Sequence, residues 1–293
     1  MKVRILSSKG YEDKSKDYGD CIIIDNGKEI VVYDCGSEEH ANEVMKYMDS
    51  RKIEKVKIIL SHNDDDHFNG IPILLENEKV SEIYTVLLLK YKDELLDRID
   101  DKRKNRGSIG RQLKEIYSNI SDLSGNNLIN VEVGTEVAED IEIVGQDEEY
   151  MLDAVAKGLD SREGDTIDGE TIANATSIQV SVKLGSKKLL LSGDSTFESM
   201  KSKVKDYNII QLPHHGKLYQ AEKIFDLMYT KNNIIYVVSD NTGDTNGGSD
   251  DLDTKGHNVK NTKNTSGYIE LSEYTSSPAK VGSLGVRLDI WEY

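Results

Sequence analysis

The chain has 293 residues and a formal net charge of −16, with 53 acidic against 37 basic side chains. So acidic a surface repels a phosphate backbone over much of its area, which excludes indiscriminate nucleic-acid binding. No run approaches the roughly 18–20 apolar residues of a membrane span, and the N-terminus turns polar at Ser7, too early for a secretory leader; the expectation is a cytoplasmic protein with no membrane partner.

Residues 2–7, 21–25 and 29–33 read as strands, with Asn26-Gly27 as a two-residue turn between the last two. In that register Cys21 faces Val32 and Cys35 lies about 10 Å out of its reach. A disulfide needs Cα atoms within about 7 Å, so both thiols are expected to be free. A helix capped by Ser37 carries Ala41, Val44, Met45 and Met48 at i, i+3, i+4, i+7, with His40 on its solvent side. Val56-Lys57-Ile58-Ile59-Leu60 reads as a buried strand, 71–77 as a short helix and 80–89 as another strand.

Residues 90–125 are highly charged, helical in propensity and without a long apolar stripe, as expected of a helical insertion. Within it Lys102, Arg103, Lys104, Arg106, Arg111 and Lys114 form a basic run free of acids, either a solvated face or a polyanion-steering patch. Alternation resumes at 128–133 and 141–144, and the acidic stretch 147–170 reads as a long loop or lid. A hairpin follows over 177–184 and 187–192, turning at Gly185-Ser186. A helix with Ala221, Ile224, Phe225 and Met228 on one face then leads into a strand at 234–238. Residues 240–253 read as a loop, and short strands near Ile269 and Leu288 end the chain. Strands then helix, twice over, predict two sheets packed face to face with helices outside, in one domain over 1–293.

The chemistry is concentrated in Ser61-His62-Asn63-Asp64-Asp65-Asp66-His67, directly after a buried strand. Alternation at a strand end puts His62 and Asp64 on one side. Asp66 and His67, where the chain turns, can face a second ion about 3.5–4 Å away. Imidazole nitrogen and carboxylate oxygen are ligands of zinc, manganese or iron rather than of a dedicated calcium cage.

This string resembles the HxHxDH signature of the metallo-β-lactamase superfamily, and especially its HxDxDH branch, which includes the hydrolase domain of ComEC-type DNA-uptake proteins and phosphorylcholine esterase. Asp34-Cys35-Gly36, Leu191-Ser192-Gly193-Asp194, Leu212-Pro213-His214-His215-Gly216 and Gly256-His257 resemble further family motifs in the family's order. The resemblance implies an αββα sandwich of two mixed sheets and two divalent cations, Zn²⁺ or Mn²⁺. One would be held by His62, Asp64 and Asp194, the other by Asp66, His67, Asp194 and His215. It further implies a metal-bridging hydroxide as nucleophile, oriented by Asp66, with His214 and His257 left to contact substrate or protonate the leaving group. Between His67 and His214 the chain has no histidine, and the position of a further family ligand falls on Asn174, twenty residues before Asp194. Asparagine is a weaker ligand, so Asn174 is expected to be a weak first-site ligand or a substrate contact.

The aspartate at 64, the asparagine at 174 and the His-His-Gly motif resemble the phosphodiesterase-like branch more than lactam hydrolases. A phosphodiesterase or nuclease is therefore expected, with a phosphodiester, single-stranded nucleic acid foremost, as partner. The alternatives are a small-molecule phosphoester hydrolase, on a choline-phosphate-like or cyclic-nucleotide substrate, and a catalytically degenerate metal-binding subunit of a larger complex.

Overall fold

The computed structural model describes residues 1–116, 118–123, 127–160, 167–243 and 248–276. In chain order come β1 (Lys2–Leu6), β2 (Cys21–Asp25), β3 (Ile30–Cys35), α1 (Glu38–Arg51), β4 (Val56–Ile59), α2 (Asp65–Phe68), α3 (Ile71–Glu76) and β5 (Val80–Thr85). Then follow α4 (Lys92–Arg98), α5 (Arg106–Ile116), α6 (Ser118–Asp122), β6 (Leu128–Asn130), β7 (Glu136–Ala138), β8 (Ile141–Gly145), α7 (Glu148–Asp160) and α8 (Ile172–Ala175). The last part holds β9 (Gln179–Leu184), β10 (Lys187–Leu191), α9 (Phe197–Met200), β11 (Ile209–Gln211), α10 (Pro213–Gly216), α11 (Leu218–Leu227), β12 (Ile235–Val238), β13 (Val259–Asn261) and β14 (Tyr268–Ser272).

The strands make two seven-stranded mixed sheets, ordered β14-β1-β2-β3-β4-β5-β6 and β13-β12-β11-β10-β9-β8-β7. Period-2 alternation divides their side chains between layers. Ile22, Ile24, Val31 and Tyr33 meet Val180, Val182, Leu189 and Leu191 between the sheets. Ile23, Val32 and Ile58 point the other way, against Ala41, Val44 and Met48 of α1. On the far side Leu190, Ile210 and Val238 pack under Ala221, Ile224 and Phe225 of α11. The result is the αββα sandwich that the motifs implied.

Four local readings are corrected. The β2–β3 turn is not the two-residue Asn26-Gly27: the strands close at Asp25 opposite Ile30, and Asn26 Oδ1 accepts the amides of Lys28 and Glu29 in a longer loop. With a bulge at Cys21/Ile22 this sets Cys21 opposite Cys35, and Val32 opposite Ile23. The thiols are thus strand neighbours, buried and free. Within the expected acidic loop, residues 148–160 form α7, because Met151, Leu152, Val155 and Leu159 share one buried face; residues 161–166 lie outside the described part. The charged 90–125 segment does have an apolar side, since Leu95, Ile99, Ile109 and Leu113 join α7 in the core that covers the first sheet. Its basic run is partly neutralised, Arg103 by Asp101 and Arg106 by Asp93. The strand expected near Leu288 falls outside the described residues. No helix among the described residues is long and apolar enough to cross a membrane.

His40 is the fourth correction. It lies on the inner side of α1, fully buried, with its ring 5.7 Å from that of Tyr11. Burial pushes its pKa down to about 4. The unfolded chain therefore takes up this proton first as pH falls, and stability is lost between the unfolded value near 6.5 and about 4. In urea unfolding over that interval, wild type should lose about 3 kcal/mol more than His40→Gln. Parallel pH profiles for the two proteins would contradict a neutral buried His40.

Candidate metal centre

The site forms where strands of both sheets end. After β4 the chain is pinned twice: the Ser61 amide donates to Asp34 Oδ1 (2.7 Å) and the Ile178 amide to the Ser61 carbonyl (2.9 Å). Asp64 directly precedes α2, which carries Asp66 and His67. The Asp20 amide donates to the Asp66 carbonyl (2.8 Å), and this close approach needs glycine on both sides. A Cβ at Gly19 or Gly36 would stand 1.7 or 2.0 Å from that carbonyl oxygen.

Asp66, His67, Asp194 and His215 offer four ligand atoms that all lie within 4.8 Å of one another. His215 Nε2 is 2.9 Å from Asp66 Oδ2 and 3.8 Å from Asp194 Oδ2. His67 Nε2 is 3.5 Å from Asp66 Oδ2 and 3.4 Å from Asp194 Oδ1. A tetrahedral cation about 2.0–2.1 Å from its ligands spaces them about 3.4 Å apart, the middle of these separations. His62 Nε2, His67 Nε2 and Asp194 Oδ1 are buried without a hydrogen-bond partner. Buried polar atoms are rarely left in that state; a cation in the cluster would satisfy His67 Nε2 and Asp194 Oδ1, and a neighbouring one His62 Nε2. The donor set therefore fits a divalent metal.

Each imidazole is aimed by its other nitrogen. His67 Nδ1 donates to Asp34 Oδ2 at 2.9 Å. His215 Nδ1 meets the Ser239 carbonyl at 2.9 Å and Asp20 Oδ1 at 3.2 Å. His62 Nδ1 lies between the hydroxyls of Ser61 (2.9 Å) and Ser177 (3.1 Å). Carboxylate–histidine–metal relays of this kind fix tautomer and ring orientation. Burial alone would push His67 and His215 down, yet neighbouring carboxylates hold both well above the ordinary histidine value. Burial would likewise raise Asp66 and Asp194, but the imidazoles draw both well below the usual carboxylate range.

Next to this cluster stand His62 and Asp64, with Nε2 to Oδ2 at 3.6 Å. The rings of His62 and His67 are 4.1 Å apart. Asn174 turns its amide nitrogen to Asp194 Oδ2 (3.4 Å), while its oxygen accepts from the Thr171 hydroxyl (2.7 Å). In this orientation Asn174 braces Asp194 and offers the centre no lone pair. His214 and His215 are both left-handed, with φ of 51° and 52°, and such strained backbone gathers at functional sites. The two rings consequently diverge: His215 enters the cluster, whereas His214 Nε2 stays 3.9 Å from Asp194 and its Nδ1 meets Glu170 Oε2 at 2.5 Å.

His257 is not brought to this centre. It precedes β13, at the opposite end of the parallel strands from Ser239, and stacks on Phe225 with centroids 3.8 Å apart. Sequence reading missed Asp20, Ser177 and Glu170. Glu170 is almost fully buried and accepts from His214, Lys217 (2.9 Å) and Gln220 (3.0 Å). Within an acidic stretch nothing in the sequence distinguishes it.

A family model for the metallo-β-lactamase superfamily matches residues 15–237. Among solved structures, the chain is similar to Tm1679, a metal-dependent hydrolase of the β-lactamase superfamily, at 13% identity and TM-score 0.52, covering 94% of this chain and 100% of that one. It is also similar to human tRNase Z, short form, at 12% identity and TM-score 0.44, covering 93% and 99%. The metallo-β-lactamase fold protein YhfI from Bacillus subtilis matches at 14% identity and TM-score 0.40, covering 72% and 70%. No curated protein matches the chain.

Asp34 tests the aiming of His67 directly. Asp34→Asn should weaken metal affinity by about 10–100-fold, measured by competition with a chromogenic chelator. Unchanged affinity in a folded variant would show that His67 needs no such support.

Proposed function

Since the chain belongs to the metallo-β-lactamase superfamily, whose metal-dependent hydrolase fold it carries, we propose that it hydrolyses phosphodiesters, with nucleic acid the foremost substrate. The observation that carries this reading is the position of Asp194. Its carboxylate belongs to the cluster with Asp66, His67 and His215 and also faces Asn174 and His214 through Oδ2, while His62 packs beside His67 with Asp64 3.6 Å from it. A carboxylate shared by two cations would suit in-line displacement at phosphorus, where entering and leaving oxygens both need stabilising. The preponderance of aspartate, and asparagine where the superfamily signature adds histidine, favours Mn²⁺ or Zn²⁺ and supports the HxDxDH branch over lactam cleavage.

Bound cations would supply an activated water and neutralise charge on the phosphoryl oxygens. The protein does the rest. Asp66, His67, Asp194 and His215 would hold one ion, and His62, Asp64 and Asp194 the other. Asn174 keeps Asp194 in place. His214, held at Nδ1 by Glu170, turns Nε2 toward the centre, where it donates a proton to the leaving oxygen. The short-range fixing of that ring contributes orientation that a free imidazole lacks.

The test is cleavage of single-stranded DNA and of a chromogenic diester with Mn²⁺ or Zn²⁺ added. Asp194→Ala should lower metal content and reduce turnover by about two orders of magnitude or more. His214→Ala should keep its metal and lose about 10²–10⁴-fold, most with the poorest leaving group. Cleavage of a lactam in place of either diester would overturn the reading.

A further inference from the structure

Among the described residues, Asp66, His67, Asp194 and His215 are the one group of three or more potential ligands whose donor atoms all come within 4.8 Å of one another. His62 and Asp64 stand beside that group without joining it. They are 3.6 Å apart, and the Asp64 side chain is 40% exposed where that of His62 is 2%. His62 Nε2 is nonetheless buried and unpartnered. This flank therefore has a ligand atom free for a cation and an incomplete set around it.

Three features make the flank the poorer binder. The imidazoles differ in support: His67 and His215 each have a carboxylate on the second nitrogen, Asp34 at 2.9 Å and Asp20 at 3.2 Å. His62 Nδ1 instead meets the hydroxyls of Ser61 and Ser177. A carboxylate behind an imidazole raises its basicity as a ligand, and a neutral hydroxyl lacks that charge.

Asn174 is the second feature. Its amide nitrogen points at Asp194 Oδ2 from 3.4 Å, and its oxygen is turned away to accept from Thr171 Oγ1 at 2.7 Å. The reverse orientation would set an amide oxygen against a carboxylate, so Asp194 itself selects this one. A donor thus covers Asp194 Oδ2, and residue 174 offers no lone pair to a neighbouring ion. The third feature is charge. One divalent ion in the tight group cancels Asp66 and Asp194, which leaves Asp64 as the one further ligand carboxylate to offset a second.

We propose that the two ions load in order, the first tightly on Asp66, His67, Asp194 and His215, the second weakly on His62, Asp64 and Asp194 until a phosphoryl oxygen of the substrate completes its coordination. Asn174 is the residue that keeps the second ion weak. The ordering stands on the donor groups alone, whereas completion by phosphate rests on the phosphodiesterase reading. By linkage, substrate and second ion tighten each other equally. The resting centre then carries one ion fewer than the working one, and an excess of metal fills both.

The test titrates metal-free protein with Mn²⁺, free ion being read from its electron paramagnetic resonance signal. Wild type should show one tight step and a second at least about 100-fold weaker, with an exchange-coupled pair appearing in the second step alone. Asp64→Asn and His62→Ala should keep the tight step and lose the weak one. Asn174→Asp should tighten the weak step by about tenfold or more and leave the first unchanged. Inorganic phosphate should tighten the wild-type weak step by about tenfold or more, and acetate at the same concentration should not. Two wild-type steps of equal affinity, loss of the tight step in Asp64→Asn, or an unmoved weak step in Asn174→Asp would overturn the ordering. Ordered steps that ignore phosphate would overturn completion by substrate. Phosphate-tightened loading in a protein that cleaves neither diester would uphold the proposal and sink the phosphodiesterase reading instead.

Discussion

Four ionisable side chains, two acids and two imidazoles, converge within 4.8 Å of one another, three of them buried and Asp66 half-buried. A buried carboxylate beside a half-buried one is repelled by it and loses hydration, so the pair persists only with compensating positive charge. Without a cation, His67 and His215 provide it as imidazolium groups, which is why their pKa values stand well above the ordinary one. A divalent cation replaces both protons with one concentrated charge, making metal binding and proton release a single event. The centre is therefore a place where positive charge is obligatory and its carrier exchangeable.

Much of the surrounding architecture serves to hold that arrangement. Asp34, Asp20, Ser61 and Ser177 belong to different segments, yet each ends on the second nitrogen of a site histidine. Gly19 and Gly36 let two backbones close on the Asp66 carbonyl. Residues 214 and 215 adopt left-handed conformations that send adjacent rings to different partners. Such strain persists only when the surrounding structure over-determines it, here through the sheet beneath and Glu170 beside.

The fold and the candidate cluster of Asp66, His67, Asp194 and His215 were legible in the sequence because both have local signatures. Val56 to Leu60 followed at once by His62, Asp64, Asp66 and His67 is legible as a buried strand feeding a metal loop. Asp194 and His215 were legible through motif resemblance. Glu170 and Asp20 were not, because their roles arise only when distant segments meet. The helix at 148–160 was hidden by acidic composition, although Met151, Leu152, Val155 and Leu159 carry its apolar face. The Cys21–Cys35 register was misjudged through the turn: a longer loop and a bulge move every partner along the strand. His257 was carried over by motif order, which takes no account of which end of β13 a residue occupies.

The most direct test of this account is anomalous scattering from crystals soaked in Mn²⁺ or Zn²⁺. The account predicts a strong peak among Asp66, His67, Asp194 and His215, and a second among His62, Asp64 and Asp194. Crystals that take up metal elsewhere, or leave the Asp194 region without a peak, would contradict it.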